Sequence, residues 1–115
     1  MSGPRTLQGV VRLRDAAPRP GSLRIKVEDV SRADAAARIV AELVIPLEQA
    51  PAAGATVPFS FTVSEINDSA RYCVRAHIDC DNSGQIDAGD LISTQSYPVL
   101  TQGNRDNVDI EVQAI

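Results

Sequence analysis

The sequence predicts an all-β fold: a single-domain antiparallel β-sandwich of about seven strands, spanning residues 1–115. Three observations carry that expectation. Apolar and polar residues alternate with period two in segment after segment, as half-buried strands require. Clusters of Pro, Gly, Asn and Asp separate these segments at regular spacing. No stretch holds a helical period long enough to form an ordinary helix, which leaves sheet-on-sheet packing as the architecture.

In chain order, Leu7, Gly9, Val11 and Leu13 share one face of a first strand that ends near Arg14. Asp15 to Gly21, with Pro18 and Pro20, is a connecting loop. Leu23, Ile25 and Val27 alternate with Arg24, Lys26 and Glu28 in a second, cleanly amphipathic strand. Between Asp29 and Ala37, Ser31 or Asp34 offers a cap for a short helical turn through Ala35, Ala36 and Ala37. Ile39, Ala41, Leu43 and Ile45 make a third strand, which Pro46 ends or confines to a sheet edge. After a loop over Glu48 to Thr56, Val57, Phe59, Phe61 and Val63 form a fourth strand, with Pro58 suiting its start or an edge.

Asn67, Asp68 and Ser69 mark a turn. Tyr72, Val74, Ala76 and Ile78 then face one way on a fifth strand, and Arg71, Cys73, Arg75 and His77 the other. Leu91 to Val99 reads as a sixth strand closed by Pro98. Val108, Ile110, Val112 and Ala114 alternate with Asp109, Glu111 and Gln113 in a seventh.

Composition narrows the function classes. Apolar residues make up 43% of the chain but aromatics only 3%, with no tryptophan, so the core is aliphatic. The net charge is −4, and the segment Asp79–Asp90 alone holds four aspartates and no base, leaving the remaining chain neutral. Without a basic patch or stacking aromatics, no nucleic-acid partner is expected. No run approaches the roughly 18 apolar residues of a membrane span. Met1 to Arg5 offers neither a signal-peptide core nor a lipid-accepting cysteine, which points to the cytoplasm. Cys73 and Cys80 lie seven residues apart along an extended segment, beyond disulfide reach, so both thiols are expected to be free.

The most informative stretch is Asp79-Cys80-Asp81-Asn82-Ser83-Gly84-Gln85-Ile86-Asp87-Ala88-Gly89-Asp90. As a twelve-residue calcium loop it places oxygen donors at positions 1, 3, 5, 7, 9 and 12: Asp79, Asp81, Ser83, the Gln85 backbone carbonyl, Asp87 and Asp90. Gly84 falls at position 6, where the chain turns sharply, and Ile86 supplies an apolar anchor at position 8. Calcium is a hard cation, and alternate residues of a tight loop bring several oxygens to it from one side. Ser83 is a neutral ligand and Asp90 is shorter than the usual Glu, so the expected affinity is on the order of 10⁻⁴–10⁻³ M. Strands on both sides make this a strand-loop-strand hairpin, EF-hand-like or dockerin-like in its loop and not a helical EF-hand. The competing reading is a solvated acidic turn, but turn chemistry does not ask for carboxylates at positions 1, 3, 9 and 12 together.

Other candidates carry less. His77 precedes Asp79 by two residues, but a lone strand histidine is more commonly a surface or half-buried residue than a ligand. No nucleophile elbow, redox Cys pair or phosphate loop is present, so no catalytic residues are assigned and no enzyme is expected. Thr94 to Leu100 reads as an edge segment, with Pro98 blunting it against pairing. The functional alternative there is a protein partner docking along that edge strand.

Four blocks, in order, resemble the YscW/YbaY-type lipoprotein family: Val27 to Ala35, Pro58-Phe59, Tyr72 to Asp79, and Thr94 to Leu100. The family includes a pilotin, the lipoprotein chaperone of type III secretion secretins. The resemblance implies a compact β-sandwich, a bacterial source and a place in the cell envelope, and it implies no catalytic residue. The expected function is therefore a calcium-stabilised, non-enzymatic binding or chaperone-like module for a protein partner. The alternative is a small carbohydrate-binding or hydrolase-like β-sandwich. A cleft lined by convergent polar side chains would favour the alternative, and a long open edge or apolar patch the first reading.

Overall fold

The computed structural model describes residues 4–32, 36–64 and 66–115, and among them every regular element is a strand. These are β1 (Arg5–Leu13), β2 (Ser22–Asp29), β3 (Arg38–Pro46), β4 (Thr56–Val63), β5 (Tyr72–Asp79), β6 (Leu91–Ser93), β7 (Tyr97–Val99) and β8 (Asn107–Ala114). The all-β expectation holds, and six of the strands sit where the alternation put them. Of the helical turn expected through Ala35, Ala36 and Ala37, Ala35 lies outside the described residues, and Ala36 and Ala37 belong to no regular element.

The expected sixth strand, Leu91 to Val99, is two short strands. Residues 94–96 bow away from β5, and the Ser93 hydroxyl takes the Ala76 N–H (3.1 Å) that a continuous ladder would have used. Buried backbone donors need a partner, so a serine at the break lets the strand divide. The edge expected at Thr94–Leu100 holds for its strand part, since β7 lies off the main path of the sheet and has one ladder partner, β5. β7 pairs with β5, and its Tyr97 hydroxyl accepts the Glu111 N–H of β8 (3.0 Å).

In place of two separate sheets there is one hydrogen-bonded path, β3-β2-β5-β6-β8-β1-β4, with β7 attached to β5. Short β6 carries the path from one layer to the other. The end strands β3 and β4 come near each other, so the sheet is nearly closed into a barrel. The prolines account for those ends. Pro46 terminates β3, and Pro58 lies within β4 opposite Val10, where an edge strand tolerates a missing N–H. All pairs are antiparallel except β1 with β8, which run parallel from Gln8↔Asn107 to Leu13↔Val112.

The inward faces follow the alternation. Leu7, Val11 and Leu13 from β1 meet Leu23, Ile25 and Val27 from β2, Val74 and Ile78 from β5, and Ile110 and Val112 from β8 in one aliphatic core. Each such side chain contributes roughly 1.5–3 kcal/mol of burial. The β2–β5 ladder, paired residue for residue from Ser22↔Asp79 to Asp29↔Tyr72, sets the base of the acidic loop. Gly21, at the mouth of that ladder, has a left-handed φ of 55°, and a Cβ there would lie 2.0 Å from the Asp79 carbonyl oxygen.

Gly21→Ala and Gly84→Ala separate strain from collision. Gly84 (φ 80°) has open space around the added carbon, so the substitution should cost about 1–2 kcal/mol, the left-handed penalty alone. Gly21→Ala should cost clearly more in urea unfolding, because backbone must move. Equal costs would refute the close approach.

Candidate functional site

β5 ends at Asp79 and β6 begins at Leu91, and the two pair at His77↔Ile92 and Ile78↔Leu91, so the acidic segment closes a strand-loop-strand hairpin. Left-handed backbone at Asn82, Gly84 and Gly89 folds it back on itself. Asn and Gly adopt that conformation at the least steric cost.

The loop's two end carboxylates are structural anchors. Asp79 is 0% exposed and Asp90 is 1% exposed. The Gly84 N–H donates to Asp79 Oδ2 (2.7 Å) and the Ser83 N–H to Oδ1 (3.2 Å). From β2, Arg24 Nε reaches Asp79 Oδ2 at 3.1 Å. Asp90 accepts the Cys80 N–H on Oδ1 (3.0 Å) and the Asp87 N–H on Oδ2 (3.1 Å), and His77 Nε2 lies 2.8 Å from Oδ2. Arg24 and His77 face each other across the β2–β5 ladder, so one cross-strand pair holds both ends of the loop. Buried carboxylates are tolerated only when paired in this way.

His77 is therefore not a surface residue: it is buried beneath the loop and partnered by Asp90, not by Asp79. Its outward position was legible, but the loop that covers it was not. Arg24 was missed as part of the site because no local pattern tells which strand pairs with β5. Ile86 also departs from expectation, since the position-8 anchor is 58% exposed.

The remaining predicted donors gather on the loop. Oxygens of Asp81, Asp87 and Asp90 lie within 4.8 Å of one another, the span available to two ligands on opposite sides of an ion at about 2.4 Å. The Ser83 hydroxyl lies 2.8 Å from Asp87 Oδ2 and 3.1 Å from the Gln85 carbonyl oxygen. Five of the six predicted positions are thus in one oxygen-only cluster suited to a hard cation. Asp79 stands close to Asp90 but is turned toward Arg24 and the backbone.

Burial pushes the Asp90 carboxyl upward. The His77 contact and the Cys80 and Asp87 N–H groups outweigh that push, and its value lies below the ordinary 3.8. Burial raises the Cys80 thiol, which keeps it an unreactive core residue, and both cysteines are free as expected.

A polar slot of about 290 Å³ lies over the break between β6 and β7. Its polar side chains are already bonded: Ser96 Oγ lies 3.1 Å from Cys73 Sγ, Arg75 pairs with Glu28 at 3.1 Å, and Gln95 donates to the hydroxyl of Tyr97, outside the slot, at 2.7 Å. The slot offers no convergent set of free polar groups. Among the described residues, no helix is long and apolar enough to cross a membrane.

Because the folded Asp90 carboxyl titrates below 3.8, its ionised form stabilises the fold above that value. The contribution fades as pH falls through the folded value. Urea unfolding should therefore weaken from about pH 4 downward, and Asp90→Asn should flatten that limb while costing about 1–3 kcal/mol at neutral pH. An unchanged pH limb in the variant would contradict the assignment.

Comparison with known proteins adds three findings. A family model described as "Type III secretion system lipoprotein chaperone (YscW)" matches residues 3–112. The structure of an alternative pilotin from the type II secretion system of Vibrio cholerae is similar at a TM-score of 0.73 with 24% identity, covering 97% of each chain, a likeness of fold. No curated protein matches the chain.

Proposed function

The chain belongs to the YscW family of type III secretion system lipoprotein chaperones, and from that premise we propose that it is a non-enzymatic, pilotin-like chaperone that binds a protein component of a bacterial secretion system. The observation that carries this reading is the family match, which runs over residues 3–112 and so takes in every strand of the curled sheet except the last two residues of β8. The fold shared with a pilotin supports it. The partner that the family suggests is a secretin. The internally bonded polar slot gives the carbohydrate or hydrolase alternative no support.

The test is direct. Affinity-tagged chain, co-expressed with the secretin encoded in the same genome, should retain that secretin through purification. A secretin that washes away at low and moderate salt alike would overturn the reading.

The second part of the proposal is that the Asp79–Asp90 loop is a calcium clip. Asp81, Ser83, the Gln85 carbonyl, Asp87 and Asp90 would supply the ligands, with Asp79 shaping the loop through Arg24 and the Ser83 and Gly84 N–H groups. The ion would relieve the repulsion among three carboxylates crowded within 4.8 Å and hold the β5–β6 hairpin closed. At the expected affinity, 10 mM calcium adds about 1.4–2.7 kcal/mol, enough to raise the melting temperature by several degrees over an EDTA control. Asp81→Asn with Asp87→Asn should abolish that rise without lowering the EDTA melt. Asp79 and Asp90 are unsuitable for this purpose, since their loss destabilises the fold with or without metal. Superimposable melts with and without calcium would sink the clip.

A further inference from the structure

The two ends of the sheet are finished differently. β4 carries Pro58 within it, and its outward residues Thr56, Ser60 and Thr62 are polar, a combination that discourages pairing with another chain. β3 has no proline before its last residue, Pro46, and the single charge in its regular stretch from Ala41 to Pro46 is Glu42. The exposed large apolar residues that lie within strands are both on β3, Ile39 at 50% and Val44 at 43%. On its other face Ala41, Leu43 and Ile45 are half-buried, whereas Val27, Ile25 and Leu23 opposite them on β2 are 0% exposed. The core is left open along this edge.

The backbone there is open as well. Leu47 N–H donates to the Gly21 carbonyl (3.1 Å), and the regular register then makes Ile45, Leu43 and Ala41 the residues bonded to β2. Glu42 and Val44 therefore aim their N–H and C=O groups away from β2, and among the described residues β3 has no second ladder. Pro46 belongs to the same set, so its missing N–H costs no ladder bond. Peptide groups repeating every second residue are matched by one kind of ligand, another extended chain.

Charge decides between a second copy and a different protein. The antiparallel pairing that overlaps all of β3 with another β3 sets Glu42 against Glu42 at its centre, and like charges directly opposite destabilise. Lys26 already faces Glu42 across the β2 ladder, so a base on the far side continues an alternating row of charges and an acid breaks it. We infer that the free edge of β3 is the docking site for an extended, aliphatic and basic segment of a protein partner, added to the sheet as a strand beside Ala41–Pro46. Its inward side chains cover Leu43 and Ile45, and its outward ones flank Val44. This rests on the protein-binding role proposed above and names its surface.

The probe is acetyl-Thr-Val-Lys-Val-Thr-Val-amide, added at millimolar concentration to the full ¹⁵N-labelled chain and read by amide hydrogen exchange. In the free chain Glu42 and Val44 should exchange fast and Leu43 and Ile45 slowly. The peptide should slow Glu42 and Val44 by about threefold or more, as for ligand at twice its dissociation constant. Glutamate in place of the peptide's lysine should weaken binding by about fivefold, or ~1 kcal/mol, and N-methylation of its lysine and threonines should abolish it. Val44→Pro removes an N–H on the side where Pro46 is already tolerated, so it should keep the fold and lose the peptide, while Val44→Thr should keep both. Unslowed exchange, equal binding of the glutamate or N-methylated peptide, or undiminished binding by Val44→Pro would overturn the edge. Protection of Glu42 and Val44 that grows with protein concentration alone would overturn the choice of occupant in favour of a second copy. Secretin retention that survives Val44→Pro would overturn the surface while leaving the family role standing.

Discussion

The eight-residue antiparallel ladder between β2 and β5 is the constraint on which the rest of the molecule depends. Its register sends Leu23, Ile25 and Val27, with Val74, Ala76 and Ile78, into the core. The same register sends Arg24 and His77 to the opposite face, side by side. A slip of one residue would exchange the two sets, burying charges and exposing the core. The acidic loop exploits that fixed outward pair. Its buried end carboxylates land on Arg24 and His77, so a polar cluster that would be costly alone is satisfied on all sides. The core and the site are two faces of one ladder.

Much of this was legible from local pattern. Alternation located β1 to β5 and β8, because a half-buried strand repeats every two residues whatever it pairs with. The loop's donor spacing and Gly84 were equally local. What escaped was non-local. Nothing in residues 5–13 tells that β1 runs parallel to β8 or that the sheet curls into one path. Arg24 lies 55 residues before Asp79, and only the pairing order brings them together. His77 reads as a surface residue on its strand and becomes buried only because a later loop folds over it. The break between β6 and β7 was hidden for a different reason: Ser93 replaces a backbone partner with a hydroxyl, and a serine in a strand carries no sign of doing so.

Family and geometry speak to different levels. Membership in the YscW family assigns the chain to secretion chaperones through the whole sheet, whereas the loop's chemistry depends on a dozen residues within it. The two need not share a purpose. Asp79 and Asp90 serve the fold through hydrogen bonds and ion pairs, while Asp81 and Asp87 are exposed and contribute little packing. In the proposed clip Asp81 and Asp87 would answer to the ion alone, whereas Asp90 would serve both the fold and the ion.

The parallel pairing of β1 with β8 also bears on how the protein is made. β1 lies between β4 and β8, and Arg5 is joined to Asp106 across 101 residues of sequence. During synthesis β1 can pair with β4 early, but its other side stays open until residues 107–114 have left the ribosome. Closing so long a loop comes late and slowly, because its entropy must be lost before the contacts form. Until then the edge of β1 that β8 will pair is open, and the nascent chain carries an unpaired strand edge that invites association. A protein assigned to a chaperone family thus passes through a vulnerable interval of its own, which ends only when its last strand arrives.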